Sequence, residues 1–153
     1  MSDDKKLLVV IDPGHTGNTY NAGAVKGYYE SKAVYDLSLY EKAALEKRGI
    51  DAILTRERNQ DPGLYERGQM AVKKGHGYAN VLFESNHTDA FNGKACGVTV
   101  VRSAHLPGSE KLAEKIRLVS QMNIASMCEK ALQYSKQYFS KKKLMDFIEQ
   151  FFV

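Results

Sequence analysis

Short apolar runs alternate with amphipathic stretches along most of the chain, and this pattern predicts an α/β protein. The clearest run, residues 7–11, is continuous and is ended by Pro13 and Gly14, which is typical of a buried strand. Similar runs follow at intervals that leave room for a helix between them. In all, four segments are predicted to be strands: 7–11, 50–55, 81–87 and 97–101.

Three stretches between and after these strands have the spacing of amphipathic helices. The first helix is predicted to open at Gly27 and to run to about Arg48, and the second to span residues 64–74. The third is predicted to begin at Ser109, which would be its N-cap. The apolar face predicted for the first helix comprises Ala33, Leu37, Tyr40 and Ala44, widened by Val34 and Leu45. The order of elements predicts one α/β domain over 1–153, a twisted, largely parallel sheet with helices on both faces.

The last ten residues, 144–153, fit two different structures. Apolar side chains at helical spacing favour a terminal amphipathic helix: Leu144, Phe147, Ile148, Phe151 and Phe152. The same residues also fit a fifth strand that carries Glu149. The pattern alone leaves both interpretations open.

Composition narrows the class of protein. Apolar residues make up 43% and charged residues 26% of the 153, ordinary values for a soluble globular chain. No apolar stretch is long enough to span a bilayer and the first residues lack a signal-type apolar core, so we expect no membrane partner and synthesis in the cytoplasm. Cys96 and Cys128 have no paired spacing and are expected to be reduced.

The chain has an excess of basic over acidic residues, which would favour an anionic polymer as its partner. The net charge is +4 and the pI about 9.0, which favours attraction to nucleic acid or to cell-wall material. The chain has no RNA-binding motif and no interleaving of basic and aromatic residues, so nucleic acid is not expected. We expect a monomer.

Three side chains that can bind a metal stand at the ends of predicted elements. His15 follows the first strand, Glu30 begins the first helix and His87 ends the third strand. Two His and one carboxylate, with a fourth position open, form the ligand set of hydrolytic zinc sites. Glu30 is equally explained as an acid that interacts with the helix dipole, and the compact H-E-x-x-H signature is absent. Asp12 is a candidate to orient the His15 ring, and Arg56 and Arg67 are expected to fix loops.

Seven segments, in order along the chain, carry a resemblance to a known family. They are Ile11-Asp12-Pro13-Gly14-His15-Thr16-Gly17, Gly23-Ala24, Gly27-Tyr28-Tyr29-Glu30, Leu54-Thr55-Arg56, Arg67, Ser85-Asn86-His87-Thr88-Asp89-Ala90 and Gly97-Val98-Thr99-Val100. Together they resemble the zinc-dependent N-acetylmuramoyl-L-alanine amidases of the Amidase_3 type, which include sporulation amidases and phage endolysins. The resemblance runs from about Leu7 to Ile124.

The resemblance implies a function and a site. His15, Glu30 and His87 would bind Zn²⁺, and the substrate would be peptidoglycan, cleaved at the amide between N-acetylmuramic acid and L-alanine. The family's general acid/base is a glutamate in a late apolar pattern, which Ile148-Glu149-Gln150-Phe151-Phe152 fits, so Glu149 is the predicted catalytic residue. Without a signal peptide, action on the wall would follow release, as in phage lysis or mother-cell lysis.

The tail departs from the family pattern. Three lysines and Asp146 precede the Glu149 segment where the family has a proline and small apolar residues, and no closing helix follows. We therefore expect the chain to be divergent or truncated after about residue 124. Two other functions stay open: a zinc peptidoglycan peptidase, and a catalytically inactive wall-binding module with an intact metal site.

Overall fold

Strands and helices alternate in the computed structural model, which describes residues 7–15, 27–88, 99–106 and 108–117. The predicted α/β class is confirmed, and the first three predicted strands and two predicted helices are present. Strand β1 also extends two residues beyond the predicted end, to Pro13. In chain order the elements are β1 (Leu7–Pro13), α1 (Glu30–Lys47), β2 (Asp51–Leu54), α2 (Leu64–Gly75) and β3 (Asn80–Asn86).

The three strands form a parallel sheet in the order β2-β1-β3. Strand β1 is central, and Ile11 lies opposite Leu54 on one side and Glu84 on the other. A helix connects each strand to the next in sequence, as parallel pairing requires. The carboxyl ends of β1 and β3 therefore lie side by side, which is where open α/β sheets place their ligands.

Helices cover both faces of the sheet, as predicted. Every residue of β1 from Leu8 to Pro13 is buried. Val9 points to the face covered by α1, where Leu45 packs against it. The next side chains alternate, so Asp12 points to the opposite face and there contacts Arg67 of α2. A strand buried on both faces explains why residues 7–11 are a continuous apolar run rather than an alternating one.

The buried face of α1 matches the predicted one only in part: Val34 is buried and Leu45 packs against the core, as predicted. Its buried residues are Ser31, Val34, Tyr35 and Ser38, whereas the predicted Ala33, Leu37, Tyr40 and Ala44 are only partly buried. The Ser38 hydroxyl accepts from Asn86 of β3, and the backbone carbonyl of Ser31 accepts from Arg56, which follows β2. The helix is therefore rotated towards polar partners that an apolar pattern does not report.

Residue contacts divide the chain into two compact units, Met1–Ala90 and Phe91–Val153. In the second unit a helix is present over 109–117, as predicted, but the Gly108 carbonyl accepts its first helical hydrogen bond, from Leu112. The Ser109 hydroxyl instead donates to the carbonyls of Ser103 and Leu106 at 2.8 Å, so its predicted N-cap role is wrong. One domain over 1–153 stays a prediction.

The predicted fourth strand is wrong where it can be checked. Its described residues, 99–101, are not in a strand, and the Val101 side chain is 91% exposed instead of packed in a core. Cys96, Cys128 and the whole tail after residue 117 lie outside the described residues. Within the described ranges, no helix has the length and apolar character needed to cross a membrane.

Candidate metal centre

The three predicted metal ligands lie together at the carboxyl edge of the sheet. His15 comes two residues after β1, Glu30 is the first residue of α1, and His87 immediately follows β3. Strands β1 and β3 remain in register to their ends, with Pro13 opposite Asn86, which brings the two histidines side by side. The start of α1 supplies the carboxylate from above the same edge.

Three atoms of these residues form a nearly equilateral group, called here the ligand triangle. His15 Nε2 lies 3.1 Å from Glu30 Oε1, and His87 Nδ1 lies 3.2 Å from both. The two imidazole rings meet edge to face, with centroids 4.8 Å apart and an interplanar angle of 83°. The Glu30 side chain is 14% exposed and that of His87 48%, so the triangle is open to solvent on the His87 side.

The spacing of the ligand triangle fits one tetrahedral cation. Nitrogen and oxygen ligands at about 2.0–2.1 Å from zinc lie about 3.3 Å from one another in a tetrahedral site. The three edges of 3.1–3.2 Å are close to that value. Hydrogen bonds account for at most two of the three contacts, because each of the two ring nitrogens carries at most one hydrogen. Lone pairs that converge on a single cation satisfy all three atoms at once.

The backbone before His15 is shaped to admit the second ring. A Cβ on Gly14 would lie 2.4 Å from Cε1 of His87, so no larger residue fits there unless the ring moves. His15 itself has a φ of +62°, in the left-handed region that few residues other than glycine adopt. Such strain persists only where surrounding contacts impose it, and it is frequent at functional sites.

Two buried arginines supply those contacts, which confirms the expectation that they fix loops. Arg67 donates from Nη1 to Asp12 Oδ1 at 2.9 Å and to the Pro13 carbonyl at 3.0 Å, and from Nη2 to the His15 carbonyl at 2.8 Å. Arg56 donates from Nε to the Pro13 carbonyl at 2.8 Å. Its Nη2 reaches the Gly14 carbonyl and the Ser31 carbonyl, both at 3.0 Å.

The sequence led us to expect that Asp12 orients the His15 ring. In the structure Asp12 instead acts on the loop through Arg67. Its carboxylate accepts from Arg67, from the Thr55 hydroxyl and, at 2.7 Å, from the Ser85 hydroxyl. The pair is buried, with side-chain exposures of 5% for Arg67 and 7% for Asp12. Burial, and next the positive charge of Arg67, lower the pKa of Arg56, although an arginine remains charged.

Glu30 is held by two residues that the sequence did not reveal. The Thr88 backbone N–H donates to Glu30 Oε1 at 2.7 Å, and the Tyr28 hydroxyl donates to Thr88 Oγ1 at 3.1 Å. Tyr28 precedes Glu30 by two residues and Thr88 follows His87 directly. Both residues belong to segments that carry the family resemblance, but nothing in those segments indicates the hydrogen bond between them.

Two acids, Glu41 of α1 and Glu84 of β3, lie where α1 covers the sheet. Asn86 donates from Nδ2 to Ser38 Oγ at 3.1 Å and to Glu41 Oε2 at 2.8 Å. Glu84, two residues earlier on the same face, shares a hydrogen bond with Glu41. Burial above all, and then the hydrogen bond and negative charge of Glu41, raise the pKa of Glu84 to about 9. Glu84 therefore carries a proton at neutral pH.

The remaining candidates fall outside this centre or outside the described part of the chain. His76 and His105 are exposed, as predicted. Glu149 and Asp89 lie outside the described residues, so the predicted catalytic role of Glu149 stays a prediction.

These features define a class of protein: a parallel α/β fold with a His-Glu-His candidate metal centre at the carboxyl edge of its sheet. Comparison with known proteins identifies the family. The chain belongs to the family described as N-acetylmuramoyl-L-alanine amidase (Amidase_3), which matches residues 9–147. The resemblance noted in the sequence is thereby confirmed.

Individual relatives have the same description. N-acetylmuramoyl-L-alanine amidase AmiA of Salmonella typhimurium and that of Escherichia coli are each 36% identical over 110 residues, or 71% of this chain. The structure of Cwp6 from Clostridium difficile superimposes with a TM-score of 0.50 and 30% identity, covering 59% of this chain and 14% of Cwp6. The chain spans 37% of the length of the two AmiA proteins.

Proposed function

We propose that this chain is a zinc-dependent N-acetylmuramoyl-L-alanine amidase that hydrolyses the amide between N-acetylmuramic acid and L-alanine in peptidoglycan. The ligand triangle is the observation that carries the proposal, because it presents three metal-binding atoms at zinc spacing. Membership of the family supports the reaction, and the names of the AmiA relatives agree with it. Use in phage release or mother-cell lysis stays a prediction.

The chain's own residues have separate parts in this proposal. His15, Glu30 and His87 would hold the zinc ion. When bound, zinc supplies a Lewis acid that polarises a carbonyl and lowers the pKa of water to near 7. The solvent-open side of the triangle, next to His87, leaves room for substrate. Glu149 would take a proton from the attacking water and deliver it to the leaving amine.

The metal content of purified protein tests the site. We expect about one zinc per chain, and His15→Ala or His87→Ala should lose most of it because two remaining ligands suit tetrahedral zinc poorly. His76→Ala, which removes an exposed histidine outside the ligand triangle, is the matched control and should keep its zinc. Unchanged zinc content in both ligand variants would overturn the assignment.

The chemistry is tested by digestion of purified peptidoglycan with the zinc-loaded chain. An amidase frees the amine of L-alanine, whereas a peptidase acting on the stem peptide frees the amine of a later residue, and labelling of new amines followed by mass spectrometry separates them. A folded, zinc-loaded chain that releases no amine would favour the inactive wall-binding module.

Glu149→Gln tests the proposed proton carrier. This change keeps the shape of the side chain but removes the proton acceptor, so the rate of amine release should fall by about 10²–10⁴-fold. Zinc content should not change, because Glu149 is not a proposed ligand. If Glu149 lies on the wet face of a terminal helix instead, activity will be retained, and Phe147→Ala or Phe151→Ala will be the damaging substitutions.

A further inference from the structure

For each edge of the ligand triangle, a further contact links the two chain segments that carry its residues. One of these contacts is between backbones, and the other two are made by side chains. The segments of His15 and His87 are joined by the Gly14 N–H, which donates to the Asn86 carbonyl at 2.9 Å and extends the β1–β3 ladder by one bond. This contact follows from strand pairing and needs no particular side chain.

The edge between His15 and Glu30 is bridged by a single guanidinium nitrogen. Nη2 of Arg56 lies 3.0 Å from the carbonyl of Gly14, next to His15, and 3.0 Å from the carbonyl of Ser31, next to Glu30. The Arg56 side chain is buried, and its Nε and Nη1 are also engaged with carbonyls, so its position is determined on all sides. The distance between the two ligand-bearing segments is thus set by one buried cation.

The edge between Glu30 and His87 is bridged by the Tyr28–Thr88 hydrogen bond of 3.1 Å. Thr88 also donates its backbone N–H to the Glu30 oxygen that forms the triangle. A shift of residue 88 would therefore move both the carboxylate oxygen and the adjacent His87 ring. The Tyr28 hydroxyl limits such a shift from the side of α1.

We propose that Arg56 and the Tyr28–Thr88 pair are positioning residues that hold the ligand triangle at cation spacing before any metal binds. The inference rests on the proposed metal site and names the residues that determine its affinity. Neither bridge touches a triangle nitrogen through its own side chain, so each acts through the backbone that carries the ligands. Arginine suits the first bridge because its Nε and Nη1 bind other carbonyls and so fix the position of Nη2, whereas a lysine ammonium has only one nitrogen for all its bonds.

Two substitutions and a control test the proposal on the whole chain. Arg56→Lys keeps the charge, but its single nitrogen cannot bond the Gly14 and Ser31 carbonyls together with those of Pro13, Glu57 and Arg58, which hold the Arg56 fork in place. Tyr28→Phe removes one hydroxyl. The control is Arg58→Lys: Arg58 packs over the same Tyr35 ring as Arg56, at 4.7 Å against 5.3 Å from the centroid, but its side chain pairs with Asp36 on the surface.

The readouts are the zinc dissociation constant, measured by competition with a chromophoric chelator, and the visible absorption of the cobalt-substituted chain. Outer contacts to metal ligands change affinity by about 10–100-fold when removed, which is the weakening expected for Arg56→Lys. Loss of one hydrogen bond in Tyr28→Phe should weaken binding by about five-fold. Both variants should also change the cobalt spectrum, since its intensity reports ligand geometry, which a loss of stability alone would not alter. Arg58→Lys should match the parent in both.

The outcomes separate this inference from the proposed function. A parent chain that binds no zinc overturns the metal site and the inference together. A parent that binds zinc, with folded Arg56→Lys and Tyr28→Phe that equal it in affinity and cobalt spectrum, overturns the inference alone. Circular dichroism establishes folding, and if Arg56→Lys does not fold, Tyr28→Phe decides the question by itself.

Discussion

The protonated Glu84 should make the stability of the fold depend on pH, and Glu84→Gln should abolish that dependence. Glu84 lies on the face of β3 that α1 covers and hydrogen-bonds to Glu41. Asn86 also donates to Glu41, at Oε2 and 2.8 Å, so the Glu41 carboxyl accepts bonds on the side that faces β3. Glutamine has nearly the same shape as protonated glutamate and also donates, but it does not titrate.

The magnitude follows from the two pKa values of Glu84. Its pKa is about 9 in the folded chain, against an ordinary value of 4.5 that applies when unfolded. Between these values the folded chain binds the additional proton, so stability falls as pH rises across this window. Between pH 4.5 and pH 7, a span of about 2.5 units, the free energy of unfolding falls by about 1.4 kcal/mol per unit. Ionisation of Glu84 in the unfolded chain should therefore lower the stability of the parent at pH 7 by about 3 kcal/mol.

Urea unfolding followed by circular dichroism, at pH values from 5 to 8 with a chelator present, measures this effect. The useful quantity is the difference in unfolding free energy between Glu84→Gln and the parent, because contributions from groups outside the coupled Glu84–Glu41 pair cancel. That difference should grow in favour of the variant as pH rises. Glu46→Gln, which removes an exposed acid paired with Lys42 on the same helix as Glu41, is the control, and its difference from the parent should change far less with pH than that of Glu84→Gln.

The reasoning would be refuted if the unfolding free energies of Glu84→Gln and the parent changed with pH in parallel. It would mean that Glu84 ionises equally in folded and unfolded chains, and therefore that the carboxyl is hydrated instead of buried against Glu41. A difference that grows towards low pH would refute it more strongly, since the sign would then be that of an acid stabilised in its charged form.

Two further predictions concern the loop that carries His15. Asp12→Asn should destabilise the fold by about 3–5 kcal/mol, because it leaves Arg67 as a buried unpaired charge. Asp36→Asn, which removes one partner of an exposed ion pair, should cost less than about 1 kcal/mol. Urea unfolding compares the two variants, and equal losses of stability would contradict the burial argument. Gly14→Ala should lower zinc content and cost about 1–3 kcal/mol, because its Cβ would lie 2.4 Å from the His87 ring; parental zinc content and melting temperature would show that the ring has room to move.

The fold of residues 7–15 and 27–88 could be predicted because its determinants are local. The strand at residues 7–11 is buried on both faces, so every position is apolar and the run is unmistakable. Glycine and proline mark where such runs end, which also located His15. Parallel strands bring their carboxyl ends to one edge, and for that reason the convergence of His15 and His87 follows from the order of the predicted elements.

What could not be predicted depends on polar contacts between distant residues. Arg56 is 2% exposed, and three of the carbonyls that it binds belong to residues 25 to 43 positions away. Ser38 of α1 accepts a bond from Asn86, a contact that an apolar pattern does not report, and for this reason the predicted face of α1 matched only at Val34 and Leu45. Tyr28 and Thr88 are 60 residues apart, and nothing in either local sequence reports their hydrogen bond.

The order of the ligands along the chain has a consequence for biosynthesis. His87 lies 57 residues after Glu30 and directly follows β3, the last of the three strands to be synthesised. At about 5–20 residues per second, roughly 3–11 s separate the two ligands during translation. Until β3 has paired with β1, His87 is either not yet synthesised or not yet beside His15, so we expect tight metal binding only in chains whose sheet is already complete.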